Sequence, residues 1–197
     1  RGLGDVYKRQ PSILSPLQIK DLINVFKENY GIDYGAEITM EVDPASFNEK
    51  DLNNFINAGI NRFSLGAQSF NNQILKIAGR RHNKNDVDNS CLWLKRAFDF
   101  GLIKSWSLDL IQNLPGSRLK EWESDLENSL KFNPPHISIY DLSIEAGTVF
   151  KRLFDLGKLS LPNDEEAFRN AEKTSSILNG CGYSRYEISN YSLPGHQ

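Results

Sequence analysis

Cysteine, methionine and histidine are scarce in this chain of 197 residues, which has two cysteines, one methionine and three histidines. The cysteines, Cys91 and Cys181, lie far apart, so the sequence provides neither a disulfide framework nor a self-contained metal knuckle. No apolar run approaches the roughly 18 residues that cross a bilayer, and the chain does not open with a signal-peptide pattern. We therefore expect a cytoplasmic protein without a transmembrane segment.

The charge is nearly balanced, with 23 basic and 25 acidic residues and a formal net charge of -2. Without a basic excess, neither a nucleic acid nor an anionic membrane surface is indicated as a partner. The composition, 39% hydrophobic and 24% charged, is typical of one globular domain with a core. We expect the partner to be a small molecule.

Helices and short apolar strands alternate along the chain, which predicts an α/β fold with a parallel sheet. Ser15 and Pro16 open the first predicted helix, Ser46 and Glu49 form a predicted capping box, and Gly59 is placed to end the second helix. The predicted helices cover residues 16–30, 48–58, 71–78, 84–100, 118–132, 147–156 and 164–179. The predicted strands cover residues 37–42, 62–67, 105–111, 136–142 and 184–189.

Four successive predicted strands have one apolar face and one face of small or polar residues. A doubly wound sheet, buried on both sides, would instead show nearly continuous apolar runs. The pattern favours a barrel or partial barrel with a polar interior, in which functional groups lie at the carboxyl ends of the strands. Glu41, Gln68 and Asp109 occupy these ends in the inward phase. Asp43, before Pro44, is predicted to shape a turn.

Four segments, EITMEVDP, NRFSLGAQSF, SLDLIQNLPG and NPPHISIYDLSIEAGT, resemble the radical S-adenosylmethionine (SAM) proteins related to oxygen-independent coproporphyrinogen III oxidase. The resemblance is strongest to the heme-chaperone (HemW) branch. It implies a partial TIM-type (β/α)6 barrel that holds SAM and a [4Fe-4S] cluster. Residues 11–197 would form an incomplete barrel core, truncated at both ends, whereas residues 1–10 match nothing in the family and are expected to be artefactual.

The resemblance also implies a set of SAM contacts, which comprises Glu41, Gln68, Arg80, Asp109 and Ser143. The residue types agree with the ligand, because Glu41 can neutralise an ammonium and Arg80 can bind a carboxylate. Asp109 and Gln68 can accept from and donate to the ribose hydroxyls. Ser143 would lie on the adenine side. We predict no catalytic residue and no metal ligand in this chain.

The C-x-x-x-C-x-x-C cluster motif of the family is missing, and only Pro11 and Ser12 match the tail of its glycine-rich motif. Since an iron–sulfur cluster is held by cysteine thiolates, we expect the chain alone to be inactive in radical chemistry. Asn113 stands where relatives usually have glycine, a change expected to alter a backbone turn. His82 and His136 are expected to be solvated or structural rather than heme ligands.

Three functions remain open from the sequence. A heme chaperone would bind heme as cargo and pass it to an acceptor protein, and the segments IEAGT and YEISNY favour this reading. A coproporphyrinogen III oxidase would decarboxylate two propionate side chains of its porphyrinogen substrate. An inert barrel fragment would share ancestry alone.

Overall fold

The computed structural model of the protein describes residues 14–197. The segment 1–10, expected to be artefactual, and the match at Pro11 and Ser12 lie outside the described residues. Within the described part of the chain, no helix combines the length and apolar character needed to cross a membrane.

The described residues form helices and strands in alternation, as the sequence predicts. The helices are α1 (Pro16–Tyr30), α2 (Glu49–Ala58), α3 (Asn72–Ile77), α4 (Lys84–Asp99), α5 (Leu119–Leu130), α6 (Val149–Asp155) and α7 (Asp164–Gly180). The strands are β1 (Thr39–Val42), β2 (Arg62–Gln68), β3 (Ser105–Gln112), β4 (His136–Asp141), β5 (Ser184–Arg185) and β6 (Asn190–Ser192).

One six-stranded sheet runs in the order β1-β2-β3-β4-β6-β5. The first four strands are parallel, as predicted, whereas β6 is antiparallel to β4 and β5 is antiparallel to β6. The prediction of one strand over residues 184–189 was therefore wrong. Arg185 donates hydrogen bonds to the carbonyls of Glu187 and Ile188, which closes a turn and divides the segment into a hairpin.

The helix starts follow side-chain capping, with one correction to the prediction. Ser15 and Gln18 form the capping box of α1. For α2 the predicted box of Ser46 and Glu49 was wrong, because Asn48 and Asp51 form it instead. The Ser46 hydroxyl donates to the Asp43 carbonyl at 2.7 Å and belongs to the turn that follows β1.

The core lies between the sheet and its helices. The apolar face of the parallel strands is fully buried there, and it includes Phe63, Leu65, Trp106, Leu108 and Ile137. Trp122 of α5 donates to the Thr174 hydroxyl of α7 at 2.8 Å, which fixes these two helices against each other. On α1 only Ile19 is buried, while the rest of its apolar stripe remains accessible. Because the apolar face of the sheet packs against the helices, the opposite face can carry polar groups.

Leu108→Ala is expected to lower the free energy of unfolding by about 2–5 kcal/mol, because it leaves a cavity in the middle of the sheet. Leu22→Ala makes the same chemical change on α1, where the side chain is 47% exposed. It is expected to cost less than about 0.5 kcal/mol. Urea denaturation measures both, and equal losses would contradict this placement of the core.

Candidate functional site

The inner face of the parallel strands is a surface of small and charged side chains. Strand register places Glu41 beside Ser64 and Asp109 beside Ser138. These residues point away from the core, since side chains alternate along a strand. The predicted polar face of the sheet is confirmed, and its polar groups come from four neighbouring strands.

Asp109 is the most buried carboxylate of this face and is bonded by serine hydroxyls. Ser64 donates to Asp109 Oδ2 at 2.7 Å, and Ser107 donates to the Ser64 hydroxyl at 2.8 Å. Burial raises the pKa of Asp109, and the nearby charge of Glu41 raises it further, while hydrogen bonds from Ser64 and Ser138 act in the opposite direction. Within residues 14–197, Asp109 Oδ1 is buried and has no hydrogen-bond partner. This oxygen is therefore an acceptor suited to a hydroxyl donor on a ligand.

Gln68 ends β2 with φ of 68°, which is uncommon for a residue other than glycine. Its side chain lies over Gly66, where an added Cβ would come within 2.9 Å of Gln68 Nε2. Asp125 of α5 holds the turn that follows, because it accepts from the Ser69 hydroxyl at 2.6 Å and from the Phe70 N–H at 2.7 Å. Gly66 thus makes room for the Gln68 amide at the end of its strand.

Arg80 lies half-buried in the loop before α4, close to Asp43. Burial lowers the pKa of Arg80, and the Asp43 charge opposes this change. Burial alone would raise the pKa of Asp43, but His82, the Ala45 N–H and Arg80 together lower it. The Ala45 N–H donates to Asp43 Oδ1 at 3.1 Å, so the predicted turn role of Asp43 is confirmed.

Ser143 lies on the loop after β4, where it is exposed and donates to Glu145 Oε1 at 2.7 Å. Among the described hydrogen bonds, none joins Ser143 to the other four predicted contacts. Its role on the adenine side stays a prediction.

Asn113 adopts φ of 61°, in the left-handed region that glycine favours and asparagine tolerates. Its side chain donates to Asp141 Oδ1 at 2.8 Å and accepts from Asn170 at 2.8 Å. Asparagine is therefore compatible with the backbone of this turn, and it connects β3, β4 and α7.

His82 and His136 are both buried and hydrogen-bonded within the described part of the chain. His82 is buried between Ala67 and Asp43, and His136 bonds the Tyr186 hydroxyl at 2.7 Å. Burial, with Arg62 nearby, lowers the pKa of His136 to about 4. Sequence reasoning did not assign roles to Ser64, Ser138 or Asp125. The inward phase of the strands could have revealed the two serines, whereas Asp125 reaches the site from a helix.

The described residues do not fit a [4Fe-4S] cluster. Cys91 is fully buried within α4, where burial raises the pKa of its thiol, and Cys181 is exposed after α7. Across residues 14–197, no three histidine, cysteine or acidic side chains are grouped to hold a metal ion. No step of chemistry can therefore be assigned to a cluster held by these residues.

Asp125 is expected to make stability depend on pH, because burial raises its pKa to about 6. A carboxyl with a raised folded pKa favours folding in its protonated form, so its contribution is full below about pH 4 and is lost as the pH rises through 6. Relative to Asp125→Asn, the unmodified chain is expected to lose up to about 3 kcal/mol of unfolding free energy between pH 4 and 7. Denaturation of both proteins across this range measures the difference. A difference that stays constant with pH would contradict the assignment.

Comparison with known proteins identifies the family. The radical SAM superfamily model matches residues 8–127. The heme chaperone HemW of Synechocystis sp. is 38% identical over 187 residues, which cover 95% of this chain and 44% of that protein. The Escherichia coli heme chaperone HemW is 35% identical over 187 residues, with 95% and 47% covered. The chain spans about half the length of these curated relatives.

Solved structures confirm the fold as a partial barrel of the radical SAM type. The Escherichia coli radical SAM enzyme coproporphyrinogen III oxidase (HemN) superimposes with a TM-score of 0.81 at 24% identity, over 94% of this chain and 42% of the other. Elp3 of the archaeon Methanocaldococcus infernus superimposes with a TM-score of 0.61 at 26% identity, over 72% and 33%. By sequence and by fold, the chain belongs to the radical SAM superfamily.

Proposed function

We propose that the protein is a radical SAM heme chaperone and that this chain forms its SAM-binding core. Asp109 Oδ1, which is buried without a partner among residues 14–197, carries the SAM assignment, because an acceptor in this position is costly unless a donor reaches it. Relatives named as heme chaperones support the choice of branch.

The five predicted contacts fit SAM by their chemistry. Asp109 accepts from a ribose hydroxyl and Gln68 donates to one. Glu41 neutralises the ammonium of the methionine part, and Arg80 binds its carboxylate. Ser143 lies on the adenine side of the ligand. When bound, SAM would serve as the radical precursor of the superfamily once a [4Fe-4S] cluster supplies the electron, and the residues of this chain would bind and orient it.

Heme is the proposed cargo, and a heme-acceptor protein in the cytoplasm is the proposed recipient. The segment IEAGT, after β4, and the segment YEISNY, in the final hairpin, support this branch because they resemble heme chaperones at both places. A nucleic acid is not a proposed partner, since the chain has no excess of basic residues.

Coproporphyrinogen III oxidase is the second candidate, favoured by the structural likeness to the Escherichia coli enzyme. Anaerobic incubation of the complete protein with coproporphyrinogen III and a reductant separates the two functions. We expect no decarboxylated product and a stable complex with heme. Formation of product would contradict a chaperone-only role.

Asp109→Asn is expected to raise the Kd for SAM about tenfold, because a neutral amide oxygen replaces the carboxylate as acceptor for the ribose hydroxyl. Glu41→Gln is expected to weaken binding because it removes the charge that neutralises the ammonium. Glu37→Gln is the matched control, since Glu37 lies before β1 begins at Thr39, at the opposite end of the strand from Glu41. Isothermal titration calorimetry is expected to show its Kd within about twofold of the unmodified chain. Unchanged affinity in Asp109→Asn would contradict the proposed site.

A further inference from the structure

We infer that His82 is a positioning residue that holds three of the proposed SAM contacts in place, an inference that rests on the proposed function. The His82 side chain has 0% of its surface exposed. Its Nε2 lies 3.0 Å from the Ala67 carbonyl oxygen, and its Nδ1 lies 3.3 Å from Asp43 Oδ1. Both ring nitrogens thus have protein partners, and His82 acts through these neighbours.

Each partner of His82 adjoins a proposed contact. The Ala67 carbonyl comes directly before Gln68, and it also accepts from the Ser69 N–H at 2.9 Å. This pair of bonds fixes the orientation of the peptide group at which Gln68 enters its left-handed conformation. The Gln68 amide is therefore held in position from the buried side of the sheet.

Asp43 adjoins the other two proposed contacts. It lies two residues after Glu41 in the turn that ends β1, and its charge lies near the Arg80 guanidinium. Arg80 is itself only two residues before His82. The bond from His82 to Asp43 thus ties the loop before α4 to the end of β1.

Both ring nitrogens of His82 face oxygen atoms of the protein, at 3.0 Å from the Ala67 carbonyl and 3.3 Å from Asp43 Oδ1. A ring bonded on both sides in a close-packed interior is fixed in orientation. His82 thereby sets the spacing between the ends of two neighbouring strands. We name the three-residue unit of Asp43, Ala67 and His82 the strand-end clamp.

The clamp is tested by His82→Gln, whose single amide nitrogen cannot hold both the Ala67 carbonyl and Asp43, as the two ring nitrogens do. Asp43→Asn weakens the same bond from the other side. Each variant is expected to raise the Kd of the 197-residue chain for SAM about tenfold. Because both changes act on the bond between His82 and Asp43, the double variant is expected to lose less than the sum of the two single variants.

His136→Gln is the matched control, because His136 is also buried, at 3% exposure, and its described hydrogen bond goes to Tyr186 instead of the clamp. We expect it to lower the free energy of unfolding while the Kd for SAM stays within twofold. Calorimetry on folded protein, verified by circular dichroism, gives the Kd values. A folded His82→Gln variant with unchanged Kd, or a fully additive double variant, would overturn the inference.

Hydrogen exchange at the Ser69 amide separates failure of the clamp from failure of the proposed function, since this amide bonds the Ala67 carbonyl. In the unliganded chain, His82→Gln and Asp43→Asn are expected to speed exchange at Ser69 more than at core amides of β3. This result supports the clamp even where the unmodified chain fails to bind SAM. Unchanged exchange at Ser69 in both variants overturns it.

Discussion

The buried carboxylate of Asp109 is the interaction around which the site is arranged. Removing a carboxylate from water is costly, and here the cost is offset by the Ser64 hydroxyl, which donates from one adjacent strand, while Ser138 lies beside Asp109 on the other. Such donors can reach Asp109 only if the inner face of the sheet consists of small polar side chains. One oxygen, Oδ1, is left without a donor in the described chain. The polar face and the proposed ligand site therefore both follow from the need of the buried Asp109 carboxylate for hydrogen-bond donors.

One face of the sheet contributes to folding, and the other carries the proposed binding groups. The apolar face packs under the helices and gives the strands fixed positions, so their carboxyl ends can carry groups with defined spacing. The turns at these ends are strained, as the positive φ of Gln68 shows. Asp125 and His82 hold that turn from behind, which places the contacts on a rigid support.

Local patterns were sufficient to predict the four parallel strands, the phase of their side chains and most helix bounds, because each depends on residues close in sequence. For the same reason Glu41 and Asp109 could be placed on one face. The capping box of α2 was predicted wrongly because Ser46 has a competing local partner in the Asp43 carbonyl. The bonds of Asp125 to Ser69 and of His82 to Asp43 join residues 56 and 39 positions apart. No local period encodes such contacts, so the supports of the site became visible only in the folded chain.

The central claim is that the inner face binds SAM through Asp109. A crystal structure of the chain grown with SAM tests it most directly. The account predicts the ligand on the inner face, with a ribose hydroxyl within hydrogen-bond distance of Asp109 Oδ1. A ligand bound elsewhere, or one on the inner face with its ribose away from Asp109, would contradict the account.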